Sequence, residues 1–373
     1  MKQRVLFLNL TTFSKTGGIE RFNKCFLKAL SELDDMGIVE SRSISAYDIV
    51  VDERYYSSKK YKGFGTNKPA FVVQSILAAR KSDIIFLGHI NMAVVGVLIK
   101  KMFPLKKVVL ITHGIDVWRP LNGARAKILG IVDKIFSVSN FTKSKLIELH
   151  NVLSDRVQVF PNTIDPFFPI PSDVTAIDTL DKRYGIEKTD FVIYTLTRLS
   201  STELFKGYDR VIEAMGELVK EHKNIKYVIA GKYDTAEKQR IDELIKQYSL
   251  EGHVLLAGYI DEGELVDHYR MADVFIMPSK KEGFGIVFIE ALVCGLPVVA
   301  GNADGSVDAL VNGELGTLVN PDSTEDIKSA ILRHLEMSDR DNVQERLDIR
   351  RKTLGNFSFE KYRQRLEDFI ASC

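Results

Sequence analysis

The stretch 280–300, KKEGFGIVFIEALVCGLPVVA, groups residues able to hold both a sugar and a phosphate. An apolar run at 274–277 ends at Pro278, and Glu282, Gly283, Phe284 and Gly285 follow as a loop. A helix then opens near Ile286 and Val287, carries Glu290 and stops at Gly295 and Pro297. Glycines let backbone approach a ligand closely, and the unsatisfied amides of a helix start form an anion site suited to a diphosphate. Glu282 just before the helix and Glu290 one turn inside it can accept hydroxyl hydrogen bonds, one past the phosphates and one toward a ribose. An ordinary strand-loop-helix connection with solvated glutamates has the same pattern, so the stretch does not decide by itself.

A second group, TRLSSTELFKGYD, follows the apolar run 191–196. It supplies Arg198, a planar fork, and Lys206, a compact charge, both suited to neutralising a diphosphate leaving group. With those cations present no metal is expected, and the chain has neither a D-x-D after a strand nor a His/Asp cluster of ligand spacing. Nearer the start, Thr16-Gly17-Gly18-Ile19-Glu20 lets backbone amides near a phosphate or acceptor, but it is not G-x-G-x-x-G, so the dinucleotide fingerprint is absent. His113 ends the run 108–112 and precedes Gly114 and Asp116. There its imidazole can bond a sugar hydroxyl or sit at a reacting centre.

These residues need elements to hold them. Strand-length apolar runs at 5–10, 84–87 and 108–112 alternate with amphipathic segments, the first bearing Phe22, Phe26, Leu30 and Leu33. The alternation stops at PNTIDPFFPIPSDVT, whose four prolines suit neither a central strand nor a helix interior. It resumes with strands at 191–196, 227–230, 254–256 and 274–277 and helices at 208–219, 236–248 and 262–271, with a last helix at 359–370 after a break at Gly355. The prediction is α/β: two doubly wound parallel sheets, Rossmann-like, facing a central cleft with their ligands at the carboxyl ends of the strands. We divide the chain into 1–163, a linker 164–189, a second domain 190–355, and a terminal helix 356–373 returning to the first domain.

Bulk properties agree. A chain of 373 residues exceeds one ordinary core, and 45% hydrophobic with 27% charged residues suits a soluble globular protein. Fifty-one basic against fifty acidic residues leave a net charge of +1, which excludes a global field for nucleic acid. Cys25, Cys294 and Cys373 have no C-x-x-C spacing and suit a reducing cytoplasm. The N-terminal MKQRVLFLNL is followed at once by polar residues and reads as a first strand, and no apolar run reaches membrane-spanning length. Lys100, Lys101, Lys106 and Lys107, with Arg119, Arg125 and Lys127, form a local basic cluster that could rest on the inner membrane surface.

In this order the motifs resemble family 4 of the retaining GT-B glycosyltransferases over nearly the whole chain. Gly17-Gly18 is similar to the family's glycine loop, His113-Gly114-x-Asp116 to its HG-x-D element, and Pro161-Asn162-x-x-Asp165 to its linker signature. Arg198 and Lys206 resemble its phosphate-binding pair, and Glu282 through Glu290 its E-x7-E motif. The resemblance implies a retaining hexosyltransferase using a UDP- or GDP-sugar, with a glycan or lipid-linked acceptor, in cell-surface polysaccharide or glycolipid synthesis. It implies that Glu290 holds the ribose, Arg198 and Lys206 the diphosphate, and Glu282 with the amides near Gly285 the donor sugar, with His113 beside the reacting carbon. Two departures stand out: SSTELF lengthens the Arg198–Lys206 loop, and Asp304-Gly305-Ser306-Val307-Asp308 stands where many relatives have G-G-x-x-E. An NAD-dependent oxidoreductase lacks support without the fingerprint, while a non-catalytic sugar-nucleotide binder and a GT-B epimerase remain alternatives.

Overall fold

The computed structural model describes residues 2–337 and 343–373; residues 338–342, inside the predicted second domain, lie outside the described residues. The chain divides into two compact units, Met1–Phe167 with Phe357–Cys373, and Phe168–Asn356.

In the first unit seven strands form one parallel sheet: β1 (Gln3–Asn9), β2 (Val39–Ser45), β3 (Tyr61–Gly63), β4 (Ile84–Leu87), β5 (Lys107–Thr112), β6 (Lys134–Ser137) and β7 (Val157–Val159). Their spatial order is β3-β2-β1-β4-β5-β6-β7. The chain thus runs outward from β1, then jumps back to lay β4 on the other side. In the second unit β8 (Phe191–Leu196), β9 (Ile225–Ala230), β10 (Val254–Gly258), β11 (Val274–Met277), β12 (Val298–Gly301) and β13 (Thr317–Val319) repeat the plan in the order β10-β9-β8-β11-β12-β13. Each sheet therefore has a topological switch point, between β1 and β4 and between β8 and β11, where doubly wound sheets hold ligands beyond the strand ends.

The strands read as apolar because both sheet faces are covered: Ile84 to Leu87 and Val274 to Met277 are each at most 1% exposed. The helix Gly18–Asp35 buries Phe22, Phe26, Leu30 and Leu33, the spacing that predicted it. The terminal helix Phe359–Ala371 belongs to the first unit: Phe369 packs at 4.7 Å on Phe136, Tyr362 at 4.7 Å on Phe160, and Arg363 pairs with Glu32 at 2.7 Å. The expected break at Gly355 is not there. The helix Val343–Phe357 runs through it and stops two residues later. At that point the Phe357 carbonyl accepts from the Ile164 amide (3.0 Å) and Thr163 Oγ1 (2.8 Å) instead of from a following turn. Much of the proline-rich stretch packs within the second unit, where Val174 is fully buried and the Asp173 carbonyl accepts from Arg350.

Candidate functional site

At the β8/β11 switch point three loops are welded together. Gly207, at φ 82°, passes so close to the loop after β11 that a Cβ there would meet the Pro278 carbonyl oxygen at 2.3 Å. Lys206, brought in by that approach, pairs with Glu282 at 2.7 Å, both side chains mostly buried (15% and 21% exposed). Glu282 is in turn held by its backbone. Its amide donates to Asp304 Oδ2 at 2.6 Å and its carbonyl accepts from the Gly305 amide at 2.8 Å. Asp304 is fully buried, and burial pushes its carboxyl up to about 6 against the downward pull of Ser306 and the Glu282 amide.

Arg198 lies on the same β8 loop but is open to solvent. Its guanidinium grips Glu203 through Nη2 to Oε1 (2.8 Å) and Nε to Oε2 (3.3 Å). Glu203 comes from the enlarged part of the loop, which Asp234 pins by accepting from the Ser201 amide (2.8 Å) and hydroxyl (3.1 Å). Both cations expected at a diphosphate are thus paired with carboxylates in the free chain. Beyond Glu282, Gly283 and the buried Phe284 lead to Gly285, whose φ of 89° turns the chain into the helix Ile286–Val293. Ile286 and Val287 supply its first amides, which have no partner in the helix itself. Glu290, one turn on, is 2% exposed and accepts a hydrogen bond from the buried Tyr269 hydroxyl at 3.1 Å.

The first unit's switch point is built from different chemistry. Gly17 precedes and Gly18 opens the helix Gly18–Asp35, and nothing lies within 4 Å of a Cβ placed on Gly18. The loop entering them is fixed by Asp48, fully buried after β2. Its carboxylate accepts from the amides of Thr12 (2.7 Å), Phe13 (3.2 Å) and Ser14 (2.9 Å), and from the hydroxyls of Ser14 (2.7 Å), Ser45 (2.8 Å) and Tyr61 (2.6 Å). Burial raises this carboxyl, but the donors, Tyr61 first, outweigh it and hold it below its ordinary value. No pattern in the sequence marked Asp48.

His113 follows β5. Its Nε2 lies 2.8 Å from the Gly88 carbonyl, which only an N–H can satisfy, so the neutral ring presents Nδ1 as an acceptor. Phe22 meets the ring edge-on at 5.1 Å and His89 stacks at 6.0 Å. Burial first, then His89, pushes the imidazole down to about 3 in spite of the Gly88 bond, so it is neutral at physiological pH. Asp116 accepts from the His113 amide at 3.0 Å, while its buried Oδ2 has no partner among the described residues. The expected site residues therefore fall into two sets: Gly17, Gly18 and His113 in the first unit, and Arg198, Lys206, Glu282 to Val287 and Glu290 in the second. Glu203, Asp304 and Tyr269, which tie the second set together, were not among them. Asp304 had shown in the sequence only as a departure. Among the described residues no three His, Cys, Asp or Glu side chains are grouped to hold a metal ion.

Comparison with known proteins bears on the family and the fold. Residues 16–167 match the model described as Glycosyltransferase Family 4, and residues 176–352 the model Glycosyl transferases group 1. A GDP-mannose-dependent alpha-(1-6)-phosphatidylinositol monomannoside mannosyltransferase of Mycolicibacterium smegmatis is 30% identical over 238 residues, 61% of this chain and 60% of that protein. A D-inositol 3-phosphate glycosyltransferase of Xylanimonas cellulosilytica is 30% identical over 212 residues, 55% of this chain and 50% of that one. The match thus spans about half to three-fifths of these relatives' length. The crystal structure of HepE from Anabaena in complex with UDP superposes with a TM-score of 0.79 at 18% identity, covering 100% of both chains. Sucrose-phosphate synthase from Thermosynechococcus elongatus does so at 0.76 and 16%, covering 100% of this chain and 99% of that one. Those two likenesses speak for the fold, which is GT-B. With the two family models running between them from residue 16 to residue 352, the chain belongs to the family 4, group 1 glycosyltransferases.

Proposed function

We propose that the protein is a retaining glycosyltransferase that moves a hexosyl unit from a UDP- or GDP-sugar to a glycan or lipid-linked acceptor without a metal. The observation that carries this reading is the pair of cation–carboxylate contacts, Arg198 with Glu203 and Lys206 with Glu282, at the switch point beside the Ile286–Val293 helix start. A diphosphate is the ligand for which both cations would exchange their carboxylates, with Ile286 and Val287 offering amides to the same charge. Glu290 takes the ribose hydroxyls and Glu282 the donor sugar. As the bond from the anomeric carbon to phosphate oxygen breaks, charge gathers on the diphosphate. The cations and amides stabilise that charge more in the transition state than before it. The acceptor hydroxyl bonds to the same face of the anomeric carbon and passes its proton to the leaving phosphate oxygen. His113, neutral and with Nδ1 open, accepts a hydrogen bond from a sugar hydroxyl.

One relative is a GDP-mannose-dependent mannosyltransferase, and a structural neighbour was crystallised with UDP, so both bases belong in the test. A thermal-shift panel of UDP- and GDP-hexoses, run with and without chelator, is expected to give a melting increase for one base that the chelator leaves unchanged. No shift with any member, or one that vanishes with chelator and returns with magnesium, would overturn the reading. A lipid-linked acceptor would bring the chain to the cytoplasmic face of a membrane. In the basic cluster Lys100 and Lys106 pair with Asp133 and Asp83 (2.9 and 3.7 Å), which leaves Lys101, Arg119, Arg125 and Lys127 exposed and Lys107 half-buried. No described helix is long and apolar enough to cross a membrane. Flotation with anionic liposomes at low and high salt tests the contact.

A further inference from the structure

We infer that Asp304 is a positioning residue for the donor sugar, acting through Glu282. This rests on the reading of Glu282 as the donor-sugar contact. The loop after β12 makes a two-way clasp on Glu282: Asp304 Oδ2 accepts from its amide at 2.6 Å, and the Gly305 amide donates to its carbonyl at 2.8 Å. The other Asp304 oxygen accepts from the Ser306 amide at 2.9 Å, so both oxygens bind backbone and the carboxylate has one orientation. The approach is close enough that a Cβ on Gly305 would meet the Gly283 carbonyl oxygen at 2.1 Å. Clamped in this way, Glu282 can move only its side chain. That side chain reaches Lys206 at 2.7 Å on the β8 loop. When the diphosphate takes Lys206, the carboxylate of Glu282 is released while its backbone stays fixed, which leaves it aimed at the sugar attached to that diphosphate.

A buried carboxylate is a poor way to stabilise a fold. With its carboxyl raised to about 6, ionised Asp304 is disfavoured in the folded chain relative to the unfolded one, so near neutral pH it costs stability rather than adding it. What the carboxylate does contribute is the geometry it imposes on Glu282. Asparagine keeps the shape and one acceptor but turns an N–H toward one of the two amides, so Asp304→Asn loosens the clasp, and the donor it leaves unsatisfied is offset by relief of the buried charge.

The experiment measures binding and turnover of UDP-glucose and GDP-mannose, together with UDP and GDP alone, for the wild type, Asp304→Asn, Glu282→Gln and the double variant. Asp304→Asn is expected to melt near the wild-type temperature and to bind the nucleoside diphosphate within about twofold of wild type. Its kcat with the nucleotide-sugar should fall about tenfold or more, and the double variant should be no worse than Glu282→Gln alone. Wild-type kcat in Asp304→Asn beside a defective Glu282→Gln, or losses that multiply in the double variant, would overturn the positioning role and leave the role of Glu282 standing. If Glu282→Gln itself turns over normally, the donor-sugar reading fails and the positioning role falls with it.

Discussion

The two switch points of this chain occupy equivalent places in two similar sheets and are made from opposite materials. In the second unit charge holds the site: Arg198 with Glu203 inside the β8 loop and Lys206 with Glu282 across to the β11 loop, with buried Asp304 behind. In the first unit the loop is joined by neutral donors converging on Asp48, and two imidazoles of that unit, His113 and His89, are pushed by burial to about 3 and 4. The difference teaches what each can exchange. The solvent-open pair of Arg198 with Glu203 is worth little net, and an incoming anion re-pairs the charge that mostly buried Lys206 would lose in Glu282, so both cations can be handed over. A carboxylate saturated by buried amides and hydroxyls cannot release them without leaving unsatisfied donors, so it acts as scaffold. On the proposed reading, one switch point changes partners with a charged ligand and the other presents fixed, neutral acceptors.

Lys206→Ala and Glu290→Ala attack the exchangeable side directly. Each is expected to lower turnover of the nucleotide-sugar by about a hundredfold or more, the scale for removing one group that stabilises a leaving oxyanion or fixes the donor. Circular dichroism should show an intact fold. Normal turnover in both would erase the contrast. On the scaffold side, Asp48→Ala strands several buried donors. It is expected to cost about 3 kcal/mol in urea unfolding, with binding of nucleoside diphosphate unchanged in whatever remains folded. A loss near zero would mean that the loop does not depend on its carboxylate.

A smaller effect concerns pH. His113 has a folded value far below the ordinary one, so the folded chain resists a proton that the unfolded chain accepts. Its contribution to stability is therefore present above about pH 6.5 and is lost progressively as pH falls toward about 3. The melting temperature of His113→Gln should decline less steeply than wild type over that window; parallel curves would show that the ring is not held neutral. The gentlest test is Glu203→Gln. If Glu203 merely occupies Arg198 until a diphosphate arrives, its neutralisation should tighten UDP or GDP binding about threefold, and the gain should disappear in an Arg198→Gln background. Weaker binding instead would make Glu203 part of the ligand site.

How much of this was legible depended on how each residue is buried. β4, β8 and β11 are read from the sequence at their full extent because they are continuous apolar runs with both faces covered. β2 escaped because its buried face is serine. Ser41, Ser43 and Ser45 are each at most 1% exposed, made tolerable by hydrogen bonds to Asp34, the Phe7 carbonyl and Asp48. β7 and β13, three residues each, are too short to show a period. The Gly355 break failed because an open helix position tolerates glycine, and the true stop is set by Thr163 and Ile164, far off in sequence.

The sequence by itself determined the two rounds of alternating strand and helix and the residue types at the strand ends: paired glycines, a histidine, two cations and two glutamates. Those follow from local periodicity and from which side chains can bind phosphate and hydroxyl. Only the tertiary structure decided their partnerships. Lys206 finds Glu282 across 76 positions and Glu282 finds Asp304 across 22, while Asp48 collects donors from residues 34 to 37 positions earlier. A hydrogen bond's strength depends on a few tenths of an ångström in space, and no spacing along the chain encodes that until the strands have fixed which loops lie side by side.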